Sequence, residues 1–113
     1  MRNPRNITKA LAIGAPKPLL EIPVRPSRMI HFFDPSNPRM ASKVPEIAKR
    51  VDVLLANLED AIETKNKLAA REGLVKIAQS TEFGATQFWS RVNSLDSPWF
   101  LDDMLTIVGE AGH

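Results

Sequence analysis

Cysteine is absent from this 113-residue chain, which excludes disulfides, thiolate metal sites and cysteine nucleophiles and fits a reducing, cytoplasmic location. No apolar run approaches the ~18 residues of a membrane span, and Met1 to Ala10 lacks the apolar stretch of a secretory signal, so no membrane partner is expected. A glycine-rich phosphate loop is missing as well. Length is also scarce: a chain of this size hides roughly two-thirds of its unfolded surface, enough for one modest core and no second domain.

Charge and proline are unevenly spread. Residues 1–28 carry six basic side chains and one acidic, a net of +5, whereas residues 29–113 carry nine basic and twelve acidic, a net of −3. Eight of the nine prolines lie at or before Pro45. Proline fixes φ and removes an amide donor, so residues 1–27 are expected to form an extended arm. The arm's apolar residues, Leu11, Ile13, Leu19, Leu20, Ile22 and Val24, predict that it lies against a folded body. A basic arm invites a nucleic-acid reading. This one has no aromatic residue to stack on bases and its charges are scattered among prolines, so no nucleic-acid partner is expected.

Beyond Ser27 the pattern becomes regular. Met29 to Phe33 is a short apolar run closed by Asp34-Pro35-Ser36-Asn37-Pro38, which predicts a strand and a turn. Met40, Val44, Ile47, Ala48 and Val51 keep helical spacing, interrupted by Pro45, so a kink or a helix restarting near Pro45-Glu46 is expected. Val53 to Leu58 is apolar at nearly every position, as in a parallel strand covered on both faces. Lys65 to Ser80 predicts a helix with Ala70, Leu74, Ile77 and Ala78 on its buried face and Lys67, Arg71 and Lys76 in water. Thr86 to Val92 predicts a third strand, with Phe88 facing the same side as Val53 and Leu55. Ser97-Pro98 opens a third helix, with Asp102 and Asp103 near its positive end and Leu101, Met104, Leu105 and Val108 on one apolar stripe. Three strands alternating with helices require parallel pairing through crossovers. The expected class is α/β, with two open sheet edges that need partners. A (β/α)8 TIM barrel needs ~250 residues, so residues 28–113 fit its first three βα units.

Three segments carry a resemblance: Arg28-Met29-Ile30-His31-Phe32-Phe33, Asn57-Leu58-Glu59-Asp60-Ala61-Ile62, and Arg91-Val92-Asn93-Ser94-Leu95-Asp96-Ser97-Pro98-Trp99. In order and spacing they resemble the first three strands of the citrate lyase β-subunit and HpcH/HpaI aldolase family, which includes the malyl-CoA lyases. Leu11 to Pro16 and Leu20 to Arg28 look like the N-terminal extension of its malyl-CoA, β-methylmalyl-CoA and citramalyl-CoA lyases. The resemblance implies a Mg²⁺-dependent barrel, of which this chain is the front third to half, acting as a homo-oligomer, trimer or hexamer. It implies reversible cleavage of a 3-hydroxyacyl-CoA into an acyl-CoA and an α-keto acid, glyoxylate or pyruvate, through an enolate.

That chemistry can be set against the residues. Charge develops on oxygen, so fixed donors are needed beside it. Arg91, at a strand end, has the planar fork that grips a carboxylate; a surface arginine is the plain alternative. Glu59 and Asp60 at the end of the neighbouring strand can orient Arg91 or hold a metal-bound water, and one of them can equally cap the following helix. By resemblance Phe32 lies beside the thioester and keto acid, with Phe33 next to it as a further substrate-binding candidate, and Lys43 meets the CoA phosphates; the plain readings are core packing and a solvated lysine. The position between them usually holds arginine, and here Asn37 stands there with Arg39 two residues later, which shifts the phosphate contact toward Arg39. His31 reads as packed rather than basic, His113 as terminal, and Trp89 and Trp99 as core and interface aromatics.

The resemblance places the magnesium ligands, a glutamate and an aspartate, on later strands beyond residue 113, so no metal ligand is assigned here. The chain alone is expected to be inactive. The rival expectation is a noncatalytic interaction module, a truncated barrel piece that associates through its open edges.

Overall fold

The computed structural model describes residues 27–111. The arm predicted over residues 1–27 lies outside the described residues except for Ser27, as does His113. In chain order the elements are β1 (Ile30–Phe33), α1 (Pro38–Ala41), α2 (Val44–Ala48), β2 (Val53–Asn57), a 3-10 turn (Thr64–Asn66), α3 (Lys67–Ser80), β3 (Gln87–Arg91) and α4 (Phe100–Glu110). The strands form one parallel sheet in the order β1-β2-β3, with Ile30 beside Val53, Val53 beside Gln87, and Asn57 beside Arg91.

Local chemistry sets the boundaries. Asn37 accepts hydrogen bonds from the backbone amides of Arg39 and Met40 and so caps α1, with Pro38 as its first residue, where a missing amide costs nothing. Pro45 has the same tolerance in the first turn of α2. The helical stripe from Met40 to Val51 is therefore two short helices meeting at Ser42 and Lys43 rather than one kinked rod. The helix predicted over Lys65 to Ser80, α3, begins two residues later, because Thr64 to Asn66 wind as a 3-10 turn.

Side chains alternate across a strand, and the alternation divides the sheet. Phe33, Leu54 and Ala56 belong to the core cluster with Val44, Ala48, Ala70, Leu74 and Ile77. Each fully buried leucine, such as Leu54 or Leu74, contributes about 2 kcal/mol of apolar burial. Phe88 joins this side: its ring stacks on Phe83 at 4.6 Å and on Phe33 at 6.3 Å. This corrects the expectation that Phe88 shares a side with Val53 and Leu55. It pairs with Leu54, while Leu55 pairs with Trp89. Toward the opposite face, Ile30, Phe32 and Trp89 are exposed.

Two more expectations are overturned. Lys67 and Arg71 are both 8% exposed instead of solvated. The apolar stripe of α4 is in water, with Leu101 and Leu105 each 65% exposed and Val108 60%. The helix docks instead through Asp103, at 1% exposure, with Ile107 packed on the core.

Candidate active site

Polar side chains converge where β2 and β3 end. Asn57 is the last residue of β2, and its buried side chain accepts a hydrogen bond from the Glu59 amide at 2.9 Å. That turn lifts the chain out of the sheet and leaves Glu59 and Asp60 beside the end of β3. The Leu58 amide donates to the Arg91 carbonyl at 2.8 Å, so the two strand ends are joined by backbone as well.

Arg91 lies between the two acids. Its Nε is ion-paired with the Glu59 carboxylate and its Nη2 donates to Asp60 Oδ2 at 2.9 Å. The Arg91 side chain is 44% exposed, and its Nη1 makes no bond among the described residues. The outcome is a guanidinium held on one side by two carboxylates and open on the other, a form suited to gripping a planar anion. Neither acid caps a helix: α3 follows the 3-10 turn and has Asn66 at its N-terminus.

Other candidates are placed differently. Phe32 is 53% exposed and in register with Leu55, which pairs with Trp89. Phe33, the further substrate-binding candidate, is instead a core residue at 4% exposure; adjacent strand residues point to opposite faces, so both cannot reach one site. Asn37 has its side-chain oxygen committed to capping α1. Arg39 and Lys43 are exposed on α1 and at the start of α2, beyond the C-terminal end of β1. His31 is half-buried in β1, and Trp89 is 45% exposed rather than core, its Nε1 donating to Gln87.

A second cluster escaped the sequence reading. Lys67 Nζ donates to the carbonyls of Leu58 and Glu59 at 2.7 and 2.6 Å and to Asn93 Oδ1 at 2.7 Å. Asn93 in turn donates from its backbone and its Nδ2 to Asp103 Oδ2, at 3.0 and 2.6 Å, and Arg71 Nε donates to Asp103 Oδ1 at 2.9 Å. All four side chains are buried. The sequence does hold a signal for it: Lys67, Ala70, Arg71 and Leu74 are spaced i, i+3, i+4, i+7, so both cations sit on the stripe that the apolar residues mark as buried.

Among the described residues no three His, Asp or Glu side chains come together as a metal site. Glu59 and Asp60 are each committed to the Arg91 guanidinium, so they face a cation already in place. As paired with Arg91, the acids among the described residues do not fit the ion.

A family model described as HpcH/HpaI aldolase/citrate lyase matches residues 28–112. The chain belongs to the HpcH/HpaI aldolase/citrate lyase family. The malyl-CoA/β-methylmalyl-CoA/citramalyl-CoA lyase of Chloroflexus aurantiacus is 52% identical over 108 residues, covering 96% of this chain and 31% of that enzyme. An L-malyl-CoA/β-methylmalyl-CoA lyase of Cereibacter sphaeroides is 29% identical over 90 residues, 80% of this chain and 28% of the relative. A (3S)-malyl-CoA thioesterase of the same species is 30% identical over 84 residues, 74% and 29% of the two chains. This HpcH/HpaI family chain thus spans about a third of the length of its curated relatives. No helix among its described residues is long and apolar enough to cross a membrane.

Proposed function

We propose that this chain is the front part of a (β/α)8 barrel that cleaves a 3-hydroxyacyl-CoA, of the malyl-CoA, β-methylmalyl-CoA or citramalyl-CoA type, into an acyl-CoA and an α-keto acid. The observation that carries the reading is the Arg91 guanidinium, clamped by Glu59 and Asp60 at the C-terminal ends of neighbouring parallel strands, where barrel active sites form. The 52% identity to the Chloroflexus lyase supports the substrate class.

In the reaction the substrate hydroxyl loses its proton and its oxygen becomes the carbonyl of the keto acid. The bond between the hydroxyl carbon and the carbon next to the thioester breaks. The electron pair moves onto the thioester oxygen as an enolate, which is then protonated at carbon. Malyl-CoA gives glyoxylate and acetyl-CoA. Arg91 grips the carboxylate of the keto acid portion and faces the developing negative charge, and preorganised donors of this kind contribute about 3 kcal/mol each to transition-state stabilisation. Glu59 and Asp60 hold the guanidinium at that angle. Phe32 lies at the thioester, and Arg39 and Lys43 meet the CoA phosphates.

A chimera tests the reading. The chain replaces the segment it matches in the Chloroflexus lyase, and the purified protein is assayed on malyl-CoA for glyoxylate and for free CoA. Release of glyoxylate supports the proposal. Release of free CoA without glyoxylate transfers the chain to the thioesterase side of the family, and a folded, assembled but inert chimera favours the noncatalytic interaction module.

A further inference from the structure

We propose that Lys67 is a positioning residue for Arg91, fixing from beneath the two loops that carry the clamp. The inference rests on the reading of Arg91 as the group that grips the keto acid carboxylate, and it adds a residue that never approaches the substrate.

The geometry has three parts. The Lys67 ammonium is 8% exposed and carries three N–H donors, matched one each to the carbonyls of Leu58 and Glu59 and the side-chain oxygen of Asn93. The Trp99 ring lies 5.4 Å away across it. Second, these acceptors belong to both halves of the clamp. Leu58 and Glu59 follow the last residue of β2, and Asn93 lies two residues past Arg91 in β3. Holding the Glu59 carbonyl fixes the direction in which its carboxylate leaves the backbone, and that carboxylate meets Arg91 Nε. Third, Asn93 cannot swing away, because Asp103 takes its backbone amide and its Nδ2, and Arg71 takes the other oxygen of Asp103.

A purely stabilising role does not account for this arrangement. Burying a charge is costly unless it is paired and fully hydrogen-bonded, and well-packed apolar residues serve stability as well or better. An apolar side chain at position 67 cannot hold three oxygens from two loops at once. The strand ends are already joined by backbone, so what the ammonium adds over a leucine or methionine is a fixed course for the two loops that leave them, and Glu59, Asp60 and Arg91 are set by that course.

The test is a double-mutant cycle in the chimera, with Lys67→Met, Glu59→Gln and the pair, read as kcat, KM for malyl-CoA and folded fraction. Lys67→Met is expected to lower kcat about tenfold or more and to leave KM within about twofold. The pair is expected to fall within about twofold of the more damaged single variant, because Lys67 acts through Glu59. Multiplying effects, or normal kcat per folded molecule, overturn the proposal. Should Lys67→Met fail to fold, Asn93→Ala, which cuts the side-chain links to Lys67 and to Asp103 and leaves the backbone link to Asp103, carries the same expectation. A readout independent of turnover separates this proposal from the lyase reading: hydrogen-exchange protection of the Arg91 Nε–H, followed by NMR. If the chimera does not cleave malyl-CoA, the lyase reading falls. Loss of that protection in Lys67→Met, with the Leu54 and Leu74 methyl signals unmoved, still assigns Lys67 its positioning role; retained protection removes it.

Discussion

Gly73 lies against the backbone of Pro35, so close that a Cβ on Gly73 would sit 2.2 Å from the Pro35 carbonyl oxygen. The contact seats α3 directly on the β1–α1 turn. That turn is itself rigid, since Asp34 accepts from the amide and hydroxyl of Ser36 at 2.8 and 2.7 Å. Replacing glycine by alanine inside a helix ordinarily gains about 1 kcal/mol. Here the sign reverses. Gly73→Ala is expected to destabilise the protein by about 1 to 3 kcal/mol, because the obstacle is backbone that cannot rotate away, and denaturant unfolding of the two proteins measures it.

Asp102 and Asp103 are neighbours with opposite prospects. Asp103 is 1% exposed and joins Arg71 to Asn93, whereas the Asp102 side chain is 65% exposed and its oxygen is 3.9 Å from Arg71 Nη1. Asp103→Ala strands a buried guanidinium and is expected to cost about 3 to 5 kcal/mol. Asp102→Ala is expected to change stability by less than about 0.5 kcal/mol. Equal effects from the two, in the same unfolding assay, contradict the network.

The isolated chain is expected to self-associate. Leu101, Leu105 and Val108 form an exposed row on α4, and among the described residues β1 and β3 each present an unpaired edge. Sedimentation equilibrium should give a mass above 12.6 kDa that falls with dilution, and Leu101→Glu with Leu105→Glu should lower it. A monomer with a sharp, concentration-independent melt counts against this.

Arg91 and Lys43 separate chemistry from binding. In the chimera Arg91→Lys keeps the charge but loses the fork, and is expected to lower turnover by roughly 10²-fold with little change in KM. Lys43→Ala is expected to raise KM for the CoA ester and spare turnover, because a contact far from the reacting carbon binds ground and transition states alike. Steady-state kinetics on malyl-CoA, β-methylmalyl-CoA and citramalyl-CoA read both variants and rank the substrates.

The sequence was most readable where composition has a single structural outcome. An apolar run from Val53 to Leu58 has to be covered on two faces, and a proline at position 45 has to interrupt a helix; both features stand in the fold. The meeting of Arg91 with Glu59 and Asp60 is legible from their places at the ends of neighbouring parallel strands. The side taken by Phe88 was misread because a strand's facing depends on a one-residue register that its sequence alone leaves open. Lys67 and Arg71 were assigned to water on charge alone, although their helical positions coincide with the buried stripe. The stripe on α4 was found correctly as apolar, but an apolar face says only that something should cover it, and within these residues nothing does.

Because β2 pairs with β1 and β3 with β2, each strand after the first meets a partner that has already been synthesised when it leaves the ribosome. Such nearest-neighbour pairing keeps loop closures short and permits folding from the N-terminus onward during translation. Asp103 emerges after every other member of the buried polar cluster. Until it arrives, the Arg71 guanidinium lacks its closest counter-ion and Asn93 lacks its acceptor. The docking of α4 is therefore the event that locks the nascent sheet, and it waits for residue 103 to clear the ribosome.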